Sequence, residues 1–197
     1  MRRLLVSVKP ETAIFSPLVG VLIGTLGGAT YWLAVQLWPT NVAVILSMAV
    51  TAFLAATHSD LTRVFYLLIK YNALMALSAA KLPFAVPANI PLGLIMICGY
   101  AASFALGVAV MAARPEKAAA KVAAGTLTLT LLVGFAPAAL LGIPGLIGLA
   151  AAIIAGMGII ASLRYQRAGA SSATLSLTQL FAELCFYLGA LATWSYV

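Results

Sequence analysis

The sequence predicts an all-α integral membrane protein with about seven transmembrane helices. Of its 197 residues, 64% are hydrophobic and 8% are charged, and the mean hydropathy is +1.12. A soluble protein carries about 25% charged residues, so this chain has too little polar surface for a fold in water. Its apolar runs are unbroken, whereas the strands of a membrane barrel alternate apolar and polar residues. One helical bundle domain is therefore expected over residues 1–197.

Breaks in the apolar runs divide this bundle into spans. Residues 12–57 carry no charge and fit two crossings of a ~30 Å hydrocarbon core, with a turn at Trp38-Pro39-Thr40-Asn41. The uncharged residues 122–163 are divided in the same way by Gly142-Ile143-Pro144-Gly145. Proline-containing or charged segments separate the remaining spans. The predicted spans are 15–38, 41–57, 61–80, 90–113, 122–141, 143–163 and 173–194.

Three glycines form a stripe on the first span. Gly20, Gly24 and Gly28 are spaced by four residues, so they lie on one face of a helix. Small residues at this spacing let a second helix approach closely. The stripe is therefore interpreted as a helix-packing surface rather than a ligand site.

The basic residues orient the bundle. Nine of the eleven fall in one set of loops, and only Lys81 falls in the opposite set. The positive-inside rule then predicts a cytoplasmic N-terminus and a C-terminus on the far side of the membrane. Because these residues are dispersed at span ends, the net charge of +7 indicates contact with anionic membrane lipids and no nucleic-acid binding.

Two spans each carry one deep charge. Lys70 lies nine residues past Leu61, and Glu183 lies ten residues past Ala173. A rise of 1.5 Å per residue places the two charges about 13 and 15 Å along their helices. Because an isolated charge in hydrocarbon is costly, we expect Lys70 and Glu183 to form an ion pair inside the bundle.

Polar residues continue from this pair toward the cytoplasmic end of both helices, on the same helical faces. They are Ser172, Ser176 and Gln179 on the seventh span, and Arg63 and Tyr66 on the third. A static polar clamp between two helices and a cleft open to the cytoplasm both fit this pattern. The spacing alone favours the clamp.

His58 and Asp60 lie at the predicted cytoplasmic mouth. One His and one Asp are too few ligands for a dedicated metal site, although Mg²⁺ can bind through one or two carboxylates together with phosphates. An ordinary interfacial loop is the simpler interpretation of these two residues. The sequence contains no P-loop, H-E-x-x-H, C-x-x-C or G-x-S-x-G motif.

Four segments in this order resemble the cobalamin synthase family, the adenosylcobinamide-GDP ribazoletransferases. Residues 15–20 are similar to the family's F-P-L-V-G, and residues 58–60 to the start of its H-x-D-G-L-A-D-T-x-D-G loop. Residues 67–74 are similar to L-L-L-K-x-x-A-L. Residues 169–183 resemble G-G-x-T-G-D-x-L-G-A-x-Q-x-L-T-E, with matches at Gly169, Leu175 and Glu183.

Family members join α-ribazole, or its phosphate, to adenosylcobinamide-GDP and release GMP, with Mg²⁺ as the cofactor. The resemblance therefore implies a multi-pass protein of the bacterial inner (cytoplasmic) membrane, a corrinoid nucleotide substrate and a metal-binding carboxylate at Asp60. It also implies catalytic roles for Lys70, Gln179 and Glu183. Substrate-binding residues would be His58, Arg63, Ser172 and Ser176.

The sequence departs from the family at its acidic motifs. Leu61 follows Asp60 directly, so the later Asp residues of the family loop are missing, and Ser172-Ala173 stand in place of G-D. Phe104 occupies the position where an Arg is expected. We therefore expect a shortened, degenerate relative with weak or lost transferase activity in late cobalamin biosynthesis. The alternatives are an inactive homologue, a pseudoenzyme that serves as a scaffold or accessory subunit of a membrane complex, and a small transporter or channel component.

Overall fold

The computed structural model describes residues 16–54, 61–79, 89–112, 124–166 and 172–194, and the regular structure within these ranges is entirely helical. Seven helices follow one another in the described residues, which confirms the predicted all-α fold and helix number. They are α1 Ser16–Ala34, α2 Thr40–Leu54, α3 Leu61–Ala79, α4 Asn89–Ala112, α5 Ala124–Ala139, α6 Ile143–Gln166 and α7 Ser172–Trp194.

Within the described residues, four helices are long and apolar enough to cross a membrane. Their apolar segments are Ser16–Ala34, Leu92–Ala112, Ile143–Ser162 and Leu175–Thr193. The apolar helices α2 and α5 are shorter, with 15 and 16 residues, against the ~20 residues that a crossing requires. Membrane crossing by all seven helices, and their orientation, stay predictions.

The turn between α1 and α2 begins earlier than the sequence predicts. Helix α1 ends at Ala34 rather than near Trp38, and the Trp38 N–H donates to the Ala34 carbonyl at 2.8 Å. The Pro39 carbonyl then accepts the first hydrogen bonds of α2, from the N–H groups of Val42 and Ala43. Pro39 therefore defines the start of α2, and residues 35–38 belong to the turn.

The connection between α5 and α6 is only three residues long. Gly142 has a φ of +65°, a left-handed conformation that other residues adopt at a cost. Helix α6 starts at the next residue, and Pro144 in its first turn needs no backbone donor. Gly145 packs so closely on the Ala138 carbonyl that a side chain there would overlap it.

Helix α4 lies at the centre of the bundle. In the apolar segment Leu92–Ala112 of α4, 78% of the residues are buried, whereas 22% are buried in the segment Ile143–Ser162 of α6. Helix α1 packs on α4 through the glycine stripe. A Cβ atom on Gly20 would lie 2.6 Å from the Tyr100 carbonyl oxygen, and one on Gly24 would lie 2.6 Å from the Ile97 Cα. The interpretation of the stripe as a helix-packing surface is therefore confirmed.

Large apolar side chains cover much of the outer surface of the described helices. Phe53 is 84% exposed, Ile154 71% and Leu22 60%. A water-soluble monomer rarely presents so much contiguous apolar surface, whereas hydrocarbon chains solvate it without penalty. The fold therefore matches the membrane environment that the composition predicts, and its buried charges lie inside the bundle.

A buried ion pair and its pocket

The predicted ion pair is present at the interface of α3 and α7. Lys70 Nζ lies 2.6 Å from Glu183 Oε1. Lys70 is 1% exposed and Glu183 is 2% exposed, so both charges are removed from solvent and lipid. Glu183 lies near the middle of the apolar segment Leu175–Thr193, where an unpaired charge is most costly. Pairing therefore offsets much of the cost of burying each charge.

Three tyrosine hydroxyls complete the network around this pair. Tyr66, one turn before Lys70 on α3, donates to Glu183 Oε2. Tyr187, one turn after Glu183 on α7, donates to Glu183 Oε1 at 2.7 Å. Lys70 donates to the Tyr100 hydroxyl at 2.7 Å. The network thus links α3 and α7 to the central helix α4.

The tyrosine rings also surround the Lys70 ammonium. Its Nζ lies 4.5 Å from the centroid of the Tyr100 ring and 5.7 Å from those of Tyr66 and Tyr187. A cation within about 6 Å of an aromatic face is attracted by the ring quadrupole, and most strongly where water is excluded. The three rings therefore stabilise the charged form of Lys70 in addition to its ion pair.

Lys70 and Glu183 differ in how much of their hydrogen-bonding capacity is used. Glu183 accepts three hydrogen bonds, two on Oε1 and one on Oε2. An ammonium has three N–H donors, and the described contacts of Lys70 use two of them, toward Glu183 and Tyr100. One donor of Lys70 therefore has capacity for a further acceptor, whereas Glu183 is nearly saturated.

A small pocket lies above the pair, toward the end of the bundle where α3 and α7 begin. Its volume is about 30 Å³, enough for about two water molecules, since one needs roughly 10–15 Å³. Besides the ion pair, the polar lining residues are Thr51, Tyr66, Tyr100, Ser103, Ser176 and Gln179. The arrangement therefore combines the predicted clamp with a narrow polar pocket, and neither interpretation alone describes it.

Two further predicted site residues line this pocket. Ser176 and Gln179 precede Glu183 on α7, as the predicted polar stripe requires. Gln179 lies against α4, where a Cβ atom on Gly107 would be 3.2 Å from its Nε2. The structure therefore brings four of the predicted residues together: Lys70, Glu183, Gln179 and Ser176.

The other predicted site residues are less well defined. Arg63 lies in α3 and Ser172 begins α7, but the placement of their side chains is outside the described part of the chain. His58 and Asp60 fall between α2 and α3, also outside the described residues. Their predicted roles in substrate and metal binding stay predictions.

The described side chains do not fit a magnesium ion. No three His, Cys, Asp or Glu side chains come together within the ranges that the structure describes. Glu183, the carboxylate in the pocket, already accepts hydrogen bonds from Lys70, Tyr66 and Tyr187. A metal ion there would have to displace these donors and would face the Lys70 ammonium directly.

Sequence reasoning missed two of the tyrosines. Tyr187 continues the stripe from Glu183 by a further step of four residues, so the helical spacing could have identified it. Tyr100 lies in the middle of an otherwise apolar helix, three residues before Ser103. Spacing on α4 alone does not reveal which face of that helix meets α3, so the hydrogen bond between Tyr100 and Lys70 could not have been predicted.

Comparison with known proteins gives one partial match. No family model and no solved structure matches the chain. A segment of 45 residues is 49% identical to an adenosylcobinamide-GDP ribazoletransferase of Leptothrix cholodnii. This segment is 22% of the present chain and 17% of that protein, so the match spans about a sixth of the relative's length. The chain is thus similar to a cobalamin synthase over a limited segment, in agreement with the resemblance of its motifs.

Proposed function

We propose that this protein is a cobalamin synthase-like protein of the bacterial inner membrane, with weak or lost adenosylcobinamide-GDP ribazoletransferase activity. The observation that carries this proposal is the contact between Lys70 and Glu183. Both residues belong to segments that resemble separate family motifs, and they meet at the floor of one polar pocket. The partial match to a ribazoletransferase supports the same family.

In this proposal the pocket receives part of a corrinoid nucleotide from the cytoplasmic end of the bundle. Lys70 would offer its remaining N–H to a phosphate oxygen, and Gln179 would offer its amide nearby. Glu183 would orient Lys70 and balance its charge rather than contact the substrate. His58, Arg63, Ser172 and Ser176 would bind the substrate at the mouth, where Asp60 is the proposed magnesium ligand.

The size of the pocket supports weak or lost activity. The described part of the pocket, about 30 Å³ in volume, admits one or two oxygen-sized groups and leaves a guanosine diphosphate to bind outside it. Only the end of a phosphate group could reach the pair while the helices keep this arrangement.

A transferase assay tests the proposal. Membranes containing the protein are incubated with adenosylcobinamide-GDP, α-ribazole and Mg²⁺, and both the corrinoid product and GMP are measured. We expect turnover well below that of the Leptothrix cholodnii enzyme assayed in parallel, and loss of any turnover in Asp60→Ala and Glu183→Ala. Tyr71→Phe is a matched control on α3, because no described hydrogen bond involves its hydroxyl. Turnover that survives both substitutions would refute the site, and turnover equal to that of the Leptothrix enzyme would refute weakened activity.

The extensive hydrogen-bond network around the ion pair favours a second candidate, an inactive homologue that acts as a scaffold or accessory subunit of a membrane complex. Lys70 and Glu183 find most of their hydrogen-bond partners in each other and in three tyrosines, without any ligand. In that case native membranes would yield the protein in a defined complex, and Asp60→Ala would leave both the complex and cellular corrinoid content unchanged. Loss of corrinoid product in Asp60→Ala cells would exclude this candidate.

A further inference from the structure

Asn72 lies on the outer face of α3 at the middle depth of the bundle. Lys70, two residues earlier, pairs with Glu183 near the centre of the apolar segment Leu175–Thr193. Two residues correspond to a rise of about 3 Å, so Asn72 has nearly the same depth as the ion pair. Unlike Lys70, Asn72 is exposed on the bundle surface.

The Asn72 amide is only partly satisfied within one chain. Its Nδ2 donates to the Leu68 carbonyl at 2.8 Å. The amide has a second N–H and a carbonyl oxygen, and neither has a partner among the described residues. Lipid hydrocarbon offers none, so a polar side chain at this depth normally meets protein. Thr25, which is also exposed, differs from Asn72 because its hydroxyl has a single donor, and that donor already bonds to the Val21 carbonyl.

The surface around Asn72 allows a close approach of another helix. Ala76 lies one turn further along the same face and is also exposed, as is Ala79. Small residues next to a polar one are typical of helix interfaces in membranes, where interhelical hydrogen bonds add to close contact. Leu68 is 58% exposed on the preceding turn and extends the face.

We infer that this α3 face, consisting of Leu68, Asn72, Ala76 and Ala79, binds the same face of a second copy of the chain. An amide carries both a donor and an acceptor, so two Asn72 side chains can hydrogen-bond to each other across a two-fold axis. Two copies inserted in the same orientation also place Asn72 at equal depth. A different partner would need a polar side chain at that same depth.

The oligomeric state of the full chain in liposomes tests this inference. Labelled copies are mixed at increasing protein-to-lipid ratios, and association is followed by energy transfer. We expect wild-type dimers, and a dissociation constant raised about five- to thirty-fold in Asn72→Leu, the range for one interhelical hydrogen bond. Asn72→Gln keeps the amide and should retain most of the association. Thr25→Leu, which removes an exposed but satisfied hydroxyl on α1, is the matched control and should leave association unchanged.

Cross-linking locates the interface independently. Under oxidation Ala76→Cys should form a covalent dimer, whereas the wild type, with Cys98 buried and Cys185 half-buried, should not. A wild-type chain that stays monomeric at all ratios would overturn the inference. Equal association of Asn72→Leu and the wild type, with helical content unchanged, would also overturn it. Neither result bears on transferase activity, so this inference and the proposed function can fail separately.

Discussion

Gly20 on α1 faces the backbone carbonyl of Tyr100 on α4, and a Cβ atom at Gly20 would lie 2.6 Å from that oxygen. The hydroxyl of the same tyrosine accepts a hydrogen bond from Lys70. Close contact between α1 and α4 therefore fixes the backbone of a residue that holds the buried cation. The glycine stripe and the polar centre are thus parts of one arrangement, although Gly20 lies outside the pocket lining.

Substitution of Gly20 by Val should separate α1 from α4. The added side chain meets backbone atoms that cannot rotate away, so we expect a loss of about 1–3 kcal/mol in the free energy of unfolding. Gly158→Val is the control, because no atom lies within 4 Å of a Cβ atom at Gly158. Unfolding in detergent micelles measures both variants, and equal stability would contradict the described α1–α4 contact.

Single removal of either member of the ion pair should destabilise the bundle. Lys70→Met leaves the Glu183 carboxylate buried without its cation, and Glu183→Leu leaves the ammonium without its anion. Each substitution should lower the free energy of unfolding by about 3–5 kcal/mol, because an uncompensated buried charge remains.

The double variant Lys70→Met with Glu183→Leu separates charge pairing from simple loss of contacts. It removes both charges and should recover much of the lost stability, because the apolar side chains keep similar volumes. The free energies of unfolding of the four proteins form a double-mutant cycle. If the two single costs simply add, Lys70 and Glu183 do not interact in the membrane-embedded protein.

Tyr187→Phe should weaken the network without opening a cavity. The ring, which packs against Gly99, is retained, and Glu183 loses one of its three donors. A cost of about 1–3 kcal/mol is expected for a buried acceptor that loses a partner. Tyr71→Phe on α3 provides the comparison, with a change near zero. An unchanged free energy of unfolding in Tyr187→Phe would mean that its hydroxyl does not support Glu183.

The predicted topology places the C-terminus opposite the N-terminus. Reporter enzymes that are active only outside the cytoplasm should be active when fused after Val197 and inactive when fused after Ala168, which follows the basic residues Arg164 and Arg167. The reverse pattern of reporter activity would mean that the bundle has the opposite orientation in the membrane. The pocket would then open away from the cytoplasm, and the proposed nucleotide substrate could not reach it.

The ion pair could be predicted because the sequence restricts the choices so strongly. Lys70 and Glu183 are the deep charges of two helices that are predicted to enter from the same side, at nearly equal depth. Their tyrosine partners depend on how α4 is rotated, and the sequence of α4 is almost uniformly apolar, so no periodicity reveals its orientation. The early end of α1 was missed because residues 35–38 carry no charge and three of them are apolar, so they continue the run although they form a turn.

The short turn at Gly142 has a consequence for how the chain enters the bilayer. Three residues between α5 and α6 leave no hydrophilic loop to be carried across. The left-handed φ of Gly142 turns the chain sharply within this short connection. Gly145, which has no side chain, lets α6 contact the backbone of α5 directly. In the predicted seven-span topology neither helix can enter the bilayer without the other, and we therefore expect α5 and α6 to insert together as one unit.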